Sequence, residues 1–174
     1  ITLTAGLGSN SLVTPVDLQP TRILQIEPCH FSEPPVEGVE AILCVTPLAI
    51  QPRLAGIKHL NRMAQVLARA EWRDPGVREG VMLDTSGVLV GGTRSNLFWV
   101  KQGKLFTPDL NQSGIRGAMR SAVIRLAQQQ GLAVHEVRET PDVLNLADEL
   151  FFCNSAEGGG GGGGGGGNQY AVGS

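Results

Sequence analysis

The chain has 174 residues and a mass of 18.4 kDa, the size of one ordinary domain. Its 14 Lys and Arg against 16 Asp and Glu give a formal charge of −2, so no basic excess exists for binding a phosphate backbone, which argues against a nucleic-acid protein. No apolar stretch reaches membrane-spanning length. Cys29, Cys44 and Cys153 are odd in number, widely spaced and without a CxxC pair, the pattern of reduced cytosolic thiols with no zinc site. His30, His59 and His135 share no ligand-like spacing, so no metal is expected. The opening Ile1-Thr2-Leu3-Thr4 has no basic n-region and does not read as a signal peptide, and the missing initiator Met suggests a fragment or a processed piece.

In chain order, β-branched and apolar runs predict strands over residues 1–5, 21–27, 40–46, 80–84, 97–101, 132–138 and 149–153. Helical periodicity covers residues 59–72, with Leu60, Met63, Val66, Leu67 and Ala70 on one face. It recurs over 115–130 through Ile115, Met119, Ala122, Val123 and Leu126, ended by Gly131. A shorter helix is predicted over 141–147, with Thr140 as N-cap and Pro141 first. Turns are expected at Thr85-Ser86-Gly87 and at Lys101-Gln102-Gly103-Lys104. Residues 6–20 and 28–38 read as long connections rich in Pro, Ser and Gly. Strands interleaved with a few helices indicate an α/β or α+β domain. Residues 158–167 are all glycine, which cannot supply a core and loses the most backbone entropy on ordering.

Four segments carry chemistry or its look-alike. Gly6-Leu7-Gly8 follows a strand, but a dinucleotide fingerprint needs glycine where Ser11 stands, so it reads as a loop. Ser113-Gly114-Ile115-Arg116-Gly117 opens the second helix and is either a plain Ser N-cap or an anion site built from free N–H groups. Cys153-Asn154-Ser155 ends a strand in groups that can hold a phosphate or carboxylate, or simply turns. Lys58 lies between apolar residues and the first helix, where a cation is electrostatically misplaced; an amine in such surroundings can act as a base or form a Schiff base.

Together these pieces resemble a known family. Leu54-Ala55-Gly56-Ile57-Lys58-His59-Leu60-Asn61-Arg62 resembles the catalytic-lysine segment of the bacterial 4-amino-4-deoxychorismate lyases, members of the fold-type IV pyridoxal-phosphate enzymes alongside branched-chain and D-amino-acid aminotransferases. Gly92-Thr93-Arg94-Ser95-Asn96-Leu97-Phe98, Leu105-Phe106-Thr107-Pro108, Gly114-Ile115-Arg116-Gly117-Ala118-Met119-Arg120, Ala147-Asp148-Glu149 and Phe152-Cys153-Asn154-Ser155 follow in family order. The resemblance implies the larger, barrel-like domain of that α/β fold in residues 1–157, with the small N-terminal domain absent. Residues 158–167 would replace or stand for a family segment, and 168–174, with Tyr170-Ala171-Val172-Gly173, would end the same domain at family spacing. It also implies a cytoplasmic homodimer with pyridoxal 5′-phosphate as cofactor, converting 4-amino-4-deoxychorismate to 4-aminobenzoate and pyruvate. Alternatives are a non-catalytic, engineered or incomplete domain of the family, or an aminotransferase of the same fold. Lys58 would be the Schiff-base lysine and proton shuttle, the N–H groups of Ile115 and Arg116 and the Ser155 hydroxyl would hold the cofactor phosphate, and Asn61 would position the lysine segment.

The departures are specific. In the family an acid stands where this chain has Gly91, pairing with the pyridine nitrogen of the cofactor. Arginine stands in place of Ala5 and Asn10, and Gly-Tyr in place of Ser11-Leu12, all near the substrate.

Overall fold

The computed structural model describes residues 1–6, 8, 12–13, 16–28, 38–156, 158–161 and 163–164. The connections expected at 6–20 and 28–38 lie partly outside the described residues, as do Cys29, His30 and the segment Tyr170-Ala171-Val172-Gly173. Two compact units emerge, residues 1–30 and 31–174. The first contains β1 (Thr2–Thr4) paired antiparallel with β2 (Thr21–Ile23), both shorter than their apolar runs.

The second unit runs β3 (Glu40–Leu43), α1 (Met63–Arg69), β4 (Val77–Leu83), β5 (Leu89–Gly92), β6 (Asn96–Lys101), β7 (Lys104–Pro108), α2 (Ala118–Gln129), β8 (Val134–Val137), a 3-10 turn (Pro141–Leu146), β9 (Glu149–Asn154), β10 (Gly158–Gly161) and β11 (Gly163–Gly164). A five-stranded sheet has the order β10-β9-β6-β7-β8 and a four-stranded sheet the order β11-β3-β4-β5. The parallel pairs β3–β4 and β7–β8 are each connected through a helix, and β4–β5 and β6–β7 are hairpins.

Alternation along the strands stacks these elements into layers. Leu97 and Trp99 of β6, with Leu150 and Phe152 of β9, meet Ala41, Val81 and Leu89 in one core between the sheets. The intervening Phe98 and Cys153 turn the other way, toward Ala127 and Met119 of α2. Met82 and Val90 likewise turn from the sheet interface toward Ala68 and Trp72 on the α1 side. The order is therefore helix, sheet, sheet, helix. The α/β expectation holds, and the two sheets remain separate rather than joining into a closed barrel among the described residues.

Several expectations are corrected. β5 and β7 are strands that composition does not announce, because two glycines end the first and Lys104 and Pro108 bound the second. The 141–147 helix is a 3-10 turn, with Pro141 at its start but no side-chain cap from Thr140. Helix α1 starts at Met63, not residue 59, and its predicted apolar face points away from the core: Leu60, Met63, Val66 and Leu67 are 55–70% exposed. The helix packs instead through Ala64 and the fully buried Ala68, whose small side chains allow close approach to the sheet. Helix α2 starts at Ala118 with Gly117 as N-cap, so Ser113 is not its cap, and Leu126 is exposed. The glycine run continues the architecture: Gly158–Gly161 pairs antiparallel with Phe151–Asn154, using backbone groups alone. No helix among the described residues is long and apolar enough to cross a membrane.

Candidate active site

A main-chain clasp precedes both helices. Gly56 N–H donates to Gly114 O at 2.9 Å, and Arg116 N–H donates to Gly56 O at 3.1 Å, clasping the lysine segment to the turn before α2. The groups spent on this clasp are unavailable to a helical ladder, and Gly56 lies at φ +81°, so residue 56 and the Ile115–Arg116 step stay outside the helices. Gly114 has φ +85°, and a Cβ on it would meet Val90 Cγ1 at 2.5 Å and Leu110 Cδ2 at 2.9 Å, so only glycine fits this close approach. Asn96, the first residue of β6, donates from Nδ2 to Ile115 O at 2.8 Å and ties the turn to the five-stranded sheet.

These ties surround a cavity of about 560 Å³. The exposed Lys58 lines it, two residues beyond the clasp and five before α1. Gly91 and Gly92 at the end of β5, Ser95 and Asn96 at the start of β6, Ile115 and Arg116 before α2, and Asn154 and Ser155 at the end of β9 also line it. Five of the six site residues expected from sequence thus share one wall system, and Asn61 does not: it lines an adjoining cavity of about 130 Å³ with His59 and Ser113. The Arg116 N–H, expected to hold a phosphate, is taken by the Gly56 carbonyl, whereas Ile115 N–H has no acceptor among the described residues. The first-turn N–H groups of α2 have no intrahelical acceptors and add to the same positive end.

Two groups were not legible as site residues. Arg62 lines both cavities; its Nη2 donates to Thr93 O at 3.2 Å, and its Nη1 is buried with no partner. Burial lowers its pKa from the usual arginine value. Glu79 is 5% exposed and accepts from Gly80 N–H and Thr93 N–H at 2.9 Å each, from Thr93 Oγ1 at 2.6 Å and from Ser95 Oγ at 2.5 Å. It fixes the 93–95 turn from behind and does not line the cavity, whose walls carry no carboxylate among the described residues.

Gly91 lines the wall at the position where the family pattern carries an acid. Its φ of +158° lies at the border of extended backbone, and a Cβ there would meet Ser95 O at 3.0 Å. A side chain therefore requires that carbonyl to yield by a few tenths of an ångström.

Known proteins share both the sequence and the fold of this chain. The family model described as amino-transferase class IV matches residues 1–160. An aminodeoxychorismate lyase of Vibrio harveyi is 42% identical over 131 residues, 75% of this chain and 48% of that protein. A branched-chain-amino-acid aminotransferase of Escherichia coli is 40% identical over 96 residues, 55% of this chain and 31% of that protein. The crystal structure of 4-amino-4-deoxychorismate lyase from Pseudomonas aeruginosa superposes with a TM-score of 0.93 at 39% identity, covering 99% of this chain and 64% of that one. The chain thus spans about half the length of the curated lyase it matches.

Proposed function

We propose a function from one premise: this chain belongs to the amino-transferase class IV family. It is the cofactor-binding part of a pyridoxal 5′-phosphate-dependent lyase that converts 4-amino-4-deoxychorismate to 4-aminobenzoate and pyruvate. The observation that carries this reading is Lys58 on the wall of the 560 Å³ cavity, clasped beside an anion-accepting turn.

The residues present fit the cofactor at two of its three handles. Lys58 Nζ is the point of covalent attachment, and Ile115 N–H, the first turn of α2 and the Ser155 hydroxyl suit a phosphate. The ring nitrogen would find no acid among the described residues, because Gly91 occupies that wall. When bound, pyridoxal phosphate supplies an electron sink for carbanionic charge. The amine of Lys58 then takes a proton from the substrate α-carbon and returns one to the product. Gly91 leaves that sink without its electrostatic partner, a loss of roughly 2.7–4 kcal/mol in comparable sites. The lyase therefore turns over slowly as the sequence stands.

Residues 1–157 and 168–174 would form one domain, with 158–167 in place of a family segment. Leu54, Ile57, Leu60, Met63, Val66 and Leu67 are all exposed within one short span of chain, which supports a homodimer, since exposed apolar patches mark interfaces. The likeness to the Escherichia coli aminotransferase supports a second reading, transamination of a small amino acid.

The test is a spectral titration with pyridoxal phosphate, then borohydride trapping and peptide mapping. A visible band with the label on Lys58 sustains the site, and release of 4-aminobenzoate without any 2-oxo acid acceptor selects the lyase. Turnover that needs the acceptor selects the aminotransferase. Labels spread over Lys101 and Lys104 leave only a scaffold.

A further inference from the structure

Beyond the central cavity, a groove of about 700 Å³ runs between α1, the link to β4, and the β5–β6 turn. Arg62, Arg69, Arg73, Arg78 and Arg94 line it, five of the chain's 14 cationic side chains in a protein of net charge −2. Among the described residues Asp74 is the one acid in this wall, and its Oδ1 already accepts from Gly76 N–H at 2.8 Å. Arg62, Arg69, Arg73 and Arg78 take part in neither of the ion pairs found among the described residues, Arg120–Glu136 and Arg138–Asp84. Arg62 also brings a buried Nη1 with no partner. The Arg69 guanidinium lies over Trp72, its Cζ 4.5 Å from the ring centroid, while its Nη1 donates to Trp72 O at 3.2 Å. The charges of Arg62, Arg69, Arg73 and Arg78, gathered this way, repel unless an anion joins them.

We propose that this groove is a binding site for a small multivalent anion bearing two or more phosphates or carboxylates. The groove volume lies in the range of small-ligand pockets, about 300–1,000 Å³. Guanidinium forks match both phosphate and carboxylate oxygens in bidentate fashion. An overall negative charge disfavours a long polyanion such as nucleic acid. Arg62, Gln65 and Arg94 are shared with the central cavity, so occupancy of one site is felt at the wall of the other.

The test titrates the full chain with pyrophosphate and, separately, citrate at constant ionic strength, reading tryptophan fluorescence. Trp72 stacks under Arg69, whereas Trp99 stacks on Phe106 in the core and serves as a steady background. Saturable binding that weakens at least tenfold in the R73Q/R78Q double variant, and not in R125Q on α2, is expected. Response to pyrophosphate alone marks a phosphate ligand, and response to citrate alone a carboxylate. No saturation, equal affinity in R73Q/R78Q, or the same signal from sodium chloride at matched ionic strength overturns the proposal. Should the double variant fail to fold, arginine Nε–H resonances of the unaltered protein decide: shifts confined to groove arginines sustain it, and shifts elsewhere overturn it.

Discussion

The two ends of the central cavity are built from different materials. At one end, the Gly56–Ile115 clasp, the Asn96 brace and the start of α2 present main-chain N–H groups. At the other, the wall is Gly91 and Gly92, backed by a buried Glu79 that spends its oxygens on the 93–95 turn. A main-chain site persists as long as the fold does, since any sequence that keeps the turn keeps its donors. A side-chain site depends on one residue, and a single glycine removes it. The glycine run makes the same point, because Gly158–Gly161 still pairs along β9 without a side chain.

The sharpest way to break this contrast is Lys58→Ala. It should abolish borohydride-trappable cofactor while leaving the melting temperature unchanged, since Lys58 is exposed; trapping that persists would remove Lys58 from its role. Next is Gly91→Glu, which supplies the missing acid. Lyase turnover should rise by roughly 10²–10³, the effect of one preorganised electrostatic partner. An unchanged rate in a folded variant would show that the side-chain end does not limit the reaction. Glu79→Ala leaves four donors facing a buried void and should cost about 3 kcal/mol or more of stability in urea melts. Asn96→Ala removes the brace on the turn, with about 1 kcal/mol of stability lost and cofactor affinity reduced. Wild-type stability in that variant would mean the clasp alone holds the main-chain end.

The smallest effect concerns the thiols. Burial, with Glu71 and Glu79 nearby, pushes Cys44 up to about 12, and burial pushes Cys153 up to about 11. Both should resist iodoacetamide at pH 8.5 in the folded protein and react in urea, as read by peptide mapping. Because the thiols ionise more readily when unfolded, this contribution is fully present below about pH 9 and is lost as pH rises toward 11–12. Rapid labelling of either thiol in the folded chain would contradict its burial.

Much of the molecule was legible one segment at a time. The strands around Phe98, Val81 and Phe152 were readable because apolar residues dominate them. The segments holding Lys58, Ile115 and Ser155 were readable because their residue types and order match a family pattern. Helix periodicity misled at α1: Leu60, Met63, Val66 and Leu67 do form a stripe, but Ala64 and Ala68 face the sheet. Spacing shows which residues share a face, and close packing decides which face is buried.

The sequence by itself determined the alternation of strands and helices, the placement of a lysine before α1 and the absence of an acid at residue 91. Only the tertiary structure decided that Gly56 and Ile115 pair and that Arg116 spends its N–H on the clasp. It alone placed Asn61 beside a separate cavity and gathered five arginines from α1, its link to β4, β4 itself and the β5–β6 turn into one groove. The physical reason is the same throughout. Side-chain chemistry and local periodicity belong to single segments, whereas hydrogen-bond pairing and charge clustering are set by residues far apart in the chain that only folding brings within reach.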